Sequence, residues 1–151
     1  MRRPIFDGII ISHLGNINGP EPERENTFSY IQAARKAGWH VCMRVIFRYG
    51  KFLLPHANGY DVIQPAFLAR QHYWSCALSP ETVDALCEIN AHCFLAAAEH
   101  PTLTSAQFVW TPPPHYLTPR AIALFPEAGP ENWLSTSEPA GVCSDYPAQY
   151  C

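Results

Sequence analysis

The chain has 151 residues, a formal net charge of −3, and 48% hydrophobic and 15% charged residues. The length predicts a single domain over residues 1–151, and the composition excludes an intrinsically disordered chain. Scattered charges without a basic stripe argue against nucleic-acid binding, and no apolar run of about 18 residues predicts a membrane span.

The first segment, Met1–His13, is briefly basic and then apolar. Because Asp7 and His13 interrupt the apolar run, we interpret it as a strand and not as a secretory signal. Six cysteines show neither a Cys-x-x-Cys pair nor the spacing of zinc ligands. We therefore expect free thiols, a cytoplasmic location, and no metal or other cofactor.

The first half of the chain alternates apolar runs with one amphipathic segment. The continuous run Phe6–Ser12 predicts a buried parallel strand. Apolar spacing then predicts a helix over residues 28–37, capped by Asn26 or Thr27 and ended by Gly38. A strand over residues 39–47 and a short paired strand over residues 52–54 follow, and residues 57–65 are predicted to form a loop.

The second half continues the same alternation of short strands with helices and loops. Ser79-Pro80-Glu81 is typical of a helix start, and that helix is expected to reach about Asn90. A short helix is expected over residues 65–71 and a single helical turn over residues 130–134. Strands are expected over residues 73–77, 93–97, 108–110, 121–125 and 141–144. The alternation favours an α/β fold with a parallel sheet.

Several blocks of the sequence resemble one enzyme family. His13 with Gly15, and then Glu25-Asn26-Thr27 before a helix, resembles the opening of the glycerophosphodiester phosphodiesterases. That family is part of the superfamily of phosphatidylinositol-specific phospholipase C-like phosphodiesterases. Leu103-Thr104-Ser105, residues 108–111 and residues 142–146 also resemble short bacterial members. The resemblance implies a TIM-type (β/α) barrel and cleavage of phosphodiesters by two histidines around a divalent metal. At 151 residues the barrel would be compact and reduced, with several outer helices shortened or missing.

The resemblance implies that His13 and His56 are the catalytic histidines. An imidazole can act as base towards the nucleophile or as acid towards the leaving oxygen, because its ordinary pKa lies near the working pH. The alternative is that each histidine only forms a structural hydrogen bond.

The metal site of the family is altered in this sequence. Where relatives carry Glu-x-Asp on the second strand, this chain has Cys42-Met43-Arg44, and Leu14 and Ala57 replace two further polar positions. Hard cations need oxygen ligands, so no metal site is expected. Arg44 can instead bind a phosphate through its fixed charge and fork of donors. The metal-independent phospholipases C of the superfamily imply that Asp145 orients His13. Alternatively, Arg44 pairs with Glu99 or Asp145 and only fills the vacated site.

Four residues are predicted to contact a small-molecule substrate: Glu25, Asn26, Cys42 and Trp110. Each has a structural alternative, which is helix capping for the first two and buried packing for the others. A thiol beside a histidine could also be a nucleophile or a soft-metal ligand. The remaining histidines show no metal-ligand spacing, and no chemical role is assigned to them: His40, His72, His92, His100 and His115.

Two functions follow from these features. The first is a metal-independent phosphodiesterase or lyase, hence a phosphoric diester hydrolase or phosphorus–oxygen lyase, that forms a cyclic phosphate. The second is a repurposed fold, either a binding protein or a biosynthetic enzyme with different chemistry. Convergence of His13, Arg44 and His56 on one cavity would favour the first. Flanks without helices would also allow a homo-oligomer.

Overall fold

The architecture comes from a computed structural model that describes residues 6, 8–14, 26–96 and 99–150. Within those residues a ten-stranded mixed sheet carries three short α-helices. The strands are β1 Ile9–His13, β2 His40–Arg48, β3 Lys51–His56, β4 Gly59–Ile63, β5 Tyr73–Ala77, β6 Cys93–Leu95, β7 Thr102–Leu103, β8 Val109–Thr111, β9 Ala121–Leu124 and β10 Gly141–Ser144. The α-helices are α1 Phe28–Lys36, α2 Pro65–Leu68 and α3 Pro80–Glu88, and short 3-10 helices span Pro126–Ala128, Leu134–Thr136 and Pro147–Tyr150.

The main part of the sheet is parallel, in the order β6-β5-β2-β1-β10-β9-β8, with β7 antiparallel at its far edge. The first and last strands are neighbours at its centre. β2 pairs with β1 through its first half and with β3 through its second half, where the β3–β4 hairpin continues the sheet antiparallel. The carboxyl ends of the parallel strands therefore share one edge of the sheet, which is where such sheets place their sites.

The expected TIM-type barrel is wrong. In the described part of the chain no strand ladder joins β6 to β7 or β8, so the sheet is open. The two edges are linked near β6 by a loop contact, in which the backbone N–H of Ser105 donates to the carbonyl of Cys93 over 2.8 Å. No α-helix among the described residues follows β8, β9 or β10, so the ring of outer helices that defines the barrel is not formed.

Most predicted elements lie within a few residues of the observed ones, and the exceptions are local. The stretch 57–65 is a strand after a tight turn and not a loop, because Gly59 adopts φ +125° and reverses the chain. Residues 102–103 form an edge strand that the sequence did not predict. The single helical turn expected over residues 130–134 is observed as a turn in which the backbone N–H of Trp133 donates to the carbonyl of Pro130 over 3.1 Å, and a 3-10 helix continues from Leu134.

The sheet has two different faces, because successive side chains of a strand point to opposite sides. On the helix face, Val41, Met43 and Val45 of β2 pack with Leu54 and with Ile31 of α1. On the aromatic face, the parallel strands contribute a second cluster, namely Ile11, Cys42, Trp74, Phe94, Trp110, Ile122, Leu124 and Cys143. This alternation decides which polar residues can meet.

Asn26 joins β2 to β3 at the place where β1 ends. Its side-chain amide donates to the carbonyls of Arg44 over 2.7 Å and Pro55 over 3.1 Å. Its Oδ1 accepts from the backbone N–H of Arg44 over 3.2 Å. The buried amide thus forms the hydrogen bonds to Arg44 that a neighbouring strand would otherwise form. No helix in the described residues has the length and apolar character to cross a bilayer.

We expect Asn26→Ala to lower the free energy of unfolding by about 2–4 kcal/mol, because it leaves buried backbone groups of β2 and β3 unpaired. Urea unfolding measures the change. Asn58→Ala is the matched control, because Asn58 is exposed in the β3–β4 turn, and we expect a change within about 0.5 kcal/mol. Equal stability of the two variants would show that the amide bridge contributes nothing.

Candidate functional site

The register of the two central strands places His13 beside Asp145. Ile9 pairs with Gly141, Ile11 with Cys143, and Ser12 with Ser144. One residue further along each strand, the Nδ1 atom of His13 lies 3.3 Å from the Oδ1 atom of Asp145. The contact therefore follows from strand pairing, although the two residues are 132 positions apart.

The His13 ring is held from two sides. Asp145 faces Nδ1, and the ring of Phe125 packs edge-on at a centroid distance of 4.9 Å. The His13 side chain is 22% exposed, and the described part of the chain gives Nε2 no hydrogen-bond partner. When Asp145 accepts the Nδ1 proton, the neutral ring presents Nε2 as a base. The pair is thus an oriented imidazole with one reachable nitrogen.

Arg44 lies on the same face of the sheet as His13. Cys42 pairs with His13 and belongs to the aromatic cluster, and Arg44 is two residues further along β2. The Nε atom of Arg44 is buried and has no hydrogen-bond partner among the described residues. Neither Asp145 nor Glu99, the two partners considered above, is recorded in an ion pair with Arg44 in that part of the chain. A buried guanidinium nitrogen without an acceptor is unusual in a folded protein, which makes Arg44 a candidate site residue.

His56 is not part of this group, so in the described residues His13, Arg44 and His56 do not converge on one cavity, and the criterion that would favour the phosphodiesterase is not met. Phe52 and Leu54 pack in the helix-face cluster, and the alternation of β3 places His56 on that face too. Its Nε2 lies 3.1 Å from Oδ1 of Asp61, and its Nδ1 accepts from the backbone N–H of Asn58 over 3.2 Å. Asp61 in turn accepts from the N–H of Phe28 at the start of α1. Both ring nitrogens of His56 are therefore engaged in fastening the β3–β4 hairpin to α1.

The residues predicted to contact substrate lie at different depths. Glu25 lies outside the described residues. Asn26 uses both ends of its amide on the backbone. Trp110 is buried, with its ring 4.5 Å from Phe94 and 5.8 Å from Trp74 between centroids. Trp110 and Cys42 therefore belong to the aromatic cluster on the face that carries His13 and Arg44, and Asn26 supports the backbone of Arg44.

Three thiols lie in or against the aromatic cluster. Cys42 is a close neighbour of Cys143, and Cys76 is a close neighbour of both Cys42 and Arg44. Burial, and secondly Cys42, raise the pKa of Cys76 to about 12 against the opposing charge of Arg44. Burial, and secondly the neighbouring Cys42 thiol, also raise the pKa of Cys143 well above its ordinary value. Cys76 and Cys143 are therefore protonated at neutral pH, which suits packing and not nucleophilic attack.

No group of three or more His, Cys, Asp or Glu side chains within residues 6, 8–14, 26–96 and 99–150 is arranged to hold a metal ion. Comparison of the chain with protein-family models, curated proteins and solved structures gives no match. The resemblance to the phosphodiesterases therefore stays a prediction.

The sequence interpretation missed a second group of histidines at the opposite end of the sheet. His40 begins β2, and His92 directly precedes β6. Burial lowers the pKa of both to about 4, helped by His72 and Arg35 at His40 and by His40 at His92. Their separation of 52 positions matches no motif; the usable signal was that each stands at the amino end of a predicted strand.

These two histidines predict a loss of stability in mild acid. Their pKa is about 4 when folded and near 6.5 when unfolded, so the unfolded chain binds more protons between those values. We expect Tm to fall as pH drops from 6.5 towards 4. His92→Gln should flatten that fall, and the exposed His100→Gln should not. The same slope in both variants would contradict this origin.

The raised pKa values of Cys76 and Cys143 and the burial of Cys42 predict an order of alkylation among the described cysteines. With iodoacetamide at pH 7.5, we expect Cys42, Cys76 and Cys143 to react at least about tenfold more slowly than the exposed Cys87. Peptide mass spectrometry assigns each site, and unfolding in urea should equalise the rates. Fast labelling of Cys76 in the folded protein would show that its thiolate is accessible.

Proposed function

We propose that this chain is an enzyme that cleaves a small phosphodiester or a related anionic ester without a metal ion. In this proposal His13 is the base, Asp145 orients it, and Arg44 binds the anion. One observation carries the proposal, namely the His13–Asp145 contact of 3.3 Å at the carboxyl ends of two paired parallel strands. It leaves Nε2 of a partly exposed ring free to take a proton.

The proposed step is an internal displacement. Nε2 of His13 accepts the proton of a hydroxyl on the substrate, and that oxygen bonds to phosphorus. The bond from phosphorus to the leaving oxygen breaks, and the departing alkoxide takes a proton from solvent. The product is a cyclic phosphate and an alcohol, and His13 returns its proton to solvent. A substrate with its own hydroxyl needs no activated water, which makes this route the easier one for a site built around a single base.

Arg44 supplies the positive charge in this proposal. A guanidinium presents a fork of donors that matches two phosphate oxygens, and negative charge grows on those oxygens in the transition state. Support comes from the position of Arg44 on the face of His13 and from its unpartnered buried Nε. His56 receives no step, because both of its ring nitrogens are engaged near α1.

The setting proposed for this activity is the cytoplasm, since the five cysteines recorded in the described chain are free thiols. The partner is a small molecule and not nucleic acid, consistent with the net charge of −3. A homo-oligomer is also proposed, because β4 is an edge strand with Tyr60 and Val62 exposed.

A second candidate function is binding of an anion without turnover. The aromatic cluster and the protonated thiols of Cys76 and Cys143 favour it, because they supply no nucleophile on the face that carries His13 and Arg44. Such a site would hold a phosphate ester on Arg44 while His13 contributes only a hydrogen bond.

The test uses 2-hydroxypropyl 4-nitrophenyl phosphate, which carries its own nucleophile, in the presence of EDTA. We expect release of 4-nitrophenol, and we expect His13→Ala to reduce kcat at least about 100-fold, since it removes the base. Arg44→Met should mainly impair binding and turnover together, whereas Arg44→Lys should retain part of both.

The matched control is His56→Ala, compared at equal folded fraction. Its kcat should stay within about threefold of the wild type, because His56 is assigned no proton transfer. Activity that EDTA abolishes, or an equal loss in His56→Ala and His13→Ala, would contradict the mechanism. Saturable binding of the ester without product would leave the second candidate in its place.

A further inference from the structure

A cavity of about 610 Å³ opens at the end of the sheet opposite to His13. Ile9 and His40, which begin β1 and β2, line it, whereas His13 ends β1. Its volume lies within the roughly 300–1,000 Å³ typical of small-ligand pockets. The residues that carry the argument are Ile9, His40, Arg70, Trp74, His92 and Phe108.

One wall of the cavity is aromatic. The ring of Trp74 lies 4.1 Å from His92 and 5.1 Å from Phe108 between centroids, and His92 lies 5.9 Å from Phe108. Nε2 of His92 is tied to the hydroxyl of Thr104 over 2.7 Å, and that hydroxyl oxygen accepts from the N–H of Phe108. The wall is therefore braced by hydrogen bonds. Trp74 is buried within it, and the partly exposed rings on which another ring can stack are those of His92 and Phe108.

The tautomer of the His40 ring follows from its hydrogen bond, and it leaves one ring nitrogen as a donor. The indole N–H of Trp74 can only donate, and it donates to Nδ1 of His40 over 3.1 Å. Burial keeps the pKa of His40 at about 4, so the ring is neutral at physiological pH. Its single proton must then be on Nε2, which makes that nitrogen a hydrogen-bond donor.

The charge of the cavity has one sign. Arg70 lines it, with its guanidinium carbon 5.4 Å from the centroid of the Phe67 ring. No aspartate or glutamate is found among the described residues that line it, although the whole chain carries a net charge of −3. Donors and a cation beside stacked rings select a ligand that brings both an aromatic plane and acceptor oxygens.

We propose that this cavity binds a flat aromatic carboxylate, with its ring against His92 and Phe108 and its carboxylate towards Arg70 and His40. The site is separate from the His13–Asp145 pair and lies at the other end of the same strands. The inference does not depend on the proposed phosphodiesterase activity.

The test is a titration of the full-length protein with 2-naphthoate, followed by protein NMR. We expect saturable binding with shift changes confined to the residues that line the cavity or adjoin it, namely 9, 40, 69–74, 87–92 and 105–108. Arg70→Met should weaken binding about fivefold, the effect of one solvent-accessible charge pair. Arg48→Gln is the control, because Arg48 is exposed at the end of β2 and outside the cavity.

The uncharged 2-naphthamide separates the contribution of the aromatic ring to binding from that of the carboxylate. It should bind more weakly than 2-naphthoate, and Arg70→Met should leave its affinity unchanged, because no carboxylate is present. His13→Ala should bind 2-naphthoate as the wild type does, which distinguishes this site from the proposed catalytic one. Absence of saturable binding, shift changes at other residues, or an equal effect of Arg70→Met on both probes would overturn the proposal.

Discussion

The parallel pairing of the first strand with the last is the constraint on which the candidate site depends. β1 and β10 lie side by side with a constant register from Ile9–Gly141 to Ser12–Ser144. The approach is so close at Gly141 that an added Cβ would lie 2.6 Å from the carbonyl oxygen of Ile9. This register brings His13 and Asp145 together without any local motif. The electrostatic partner of the imidazole is thus fixed by the topology of the whole domain.

The alternation of side chains along each strand divides the titratable residues into separate groups. His13, Arg44 and Asp145 share the aromatic face at the carboxyl ends of the strands, and Cys42 and Trp110 belong to the cluster on that face. His56 belongs to the helix face, where Asp61 and the start of α1 hold it. His13 and His56 therefore lie on opposite faces of the sheet, although a linear motif would treat them as a pair.

Much of the local structure could be predicted from the sequence, and the large-scale closure could not. Apolar runs and the Ser79-Pro80-Glu81 start locate most strands and α3, because these signals depend on neighbours in the chain. Whether a sheet closes depends on pairing between distant strands, and the residues after Trp110 do not form the helices that a barrel needs. β4 was missed because Asn58-Gly59 reads equally well as a loop.

The same distinction applies to the site. The pairing of His13 with Asp145 was implied by the resemblance to the metal-independent phospholipases C, and the two side chains lie 3.3 Å apart. The face of His56 could not, because a turn at Tyr49-Gly50 reverses β3 and its partners come from the next hairpin strand. The cavity around His40 and Trp74 escaped because its residues are spread along the chain without regular spacing.

The bridge formed by Asn26 has a mechanical consequence. On one side, the backbone of Arg44 is hydrogen-bonded to the side chain of Asn26, two residues before α1, and not to a continuous strand. Displacement of that amide would free the peptide groups flanking the guanidinium while the ladder with β5 stays intact. The cation of the site is therefore coupled to the start of the first helix, and a ligand that pulls on one would shift the other.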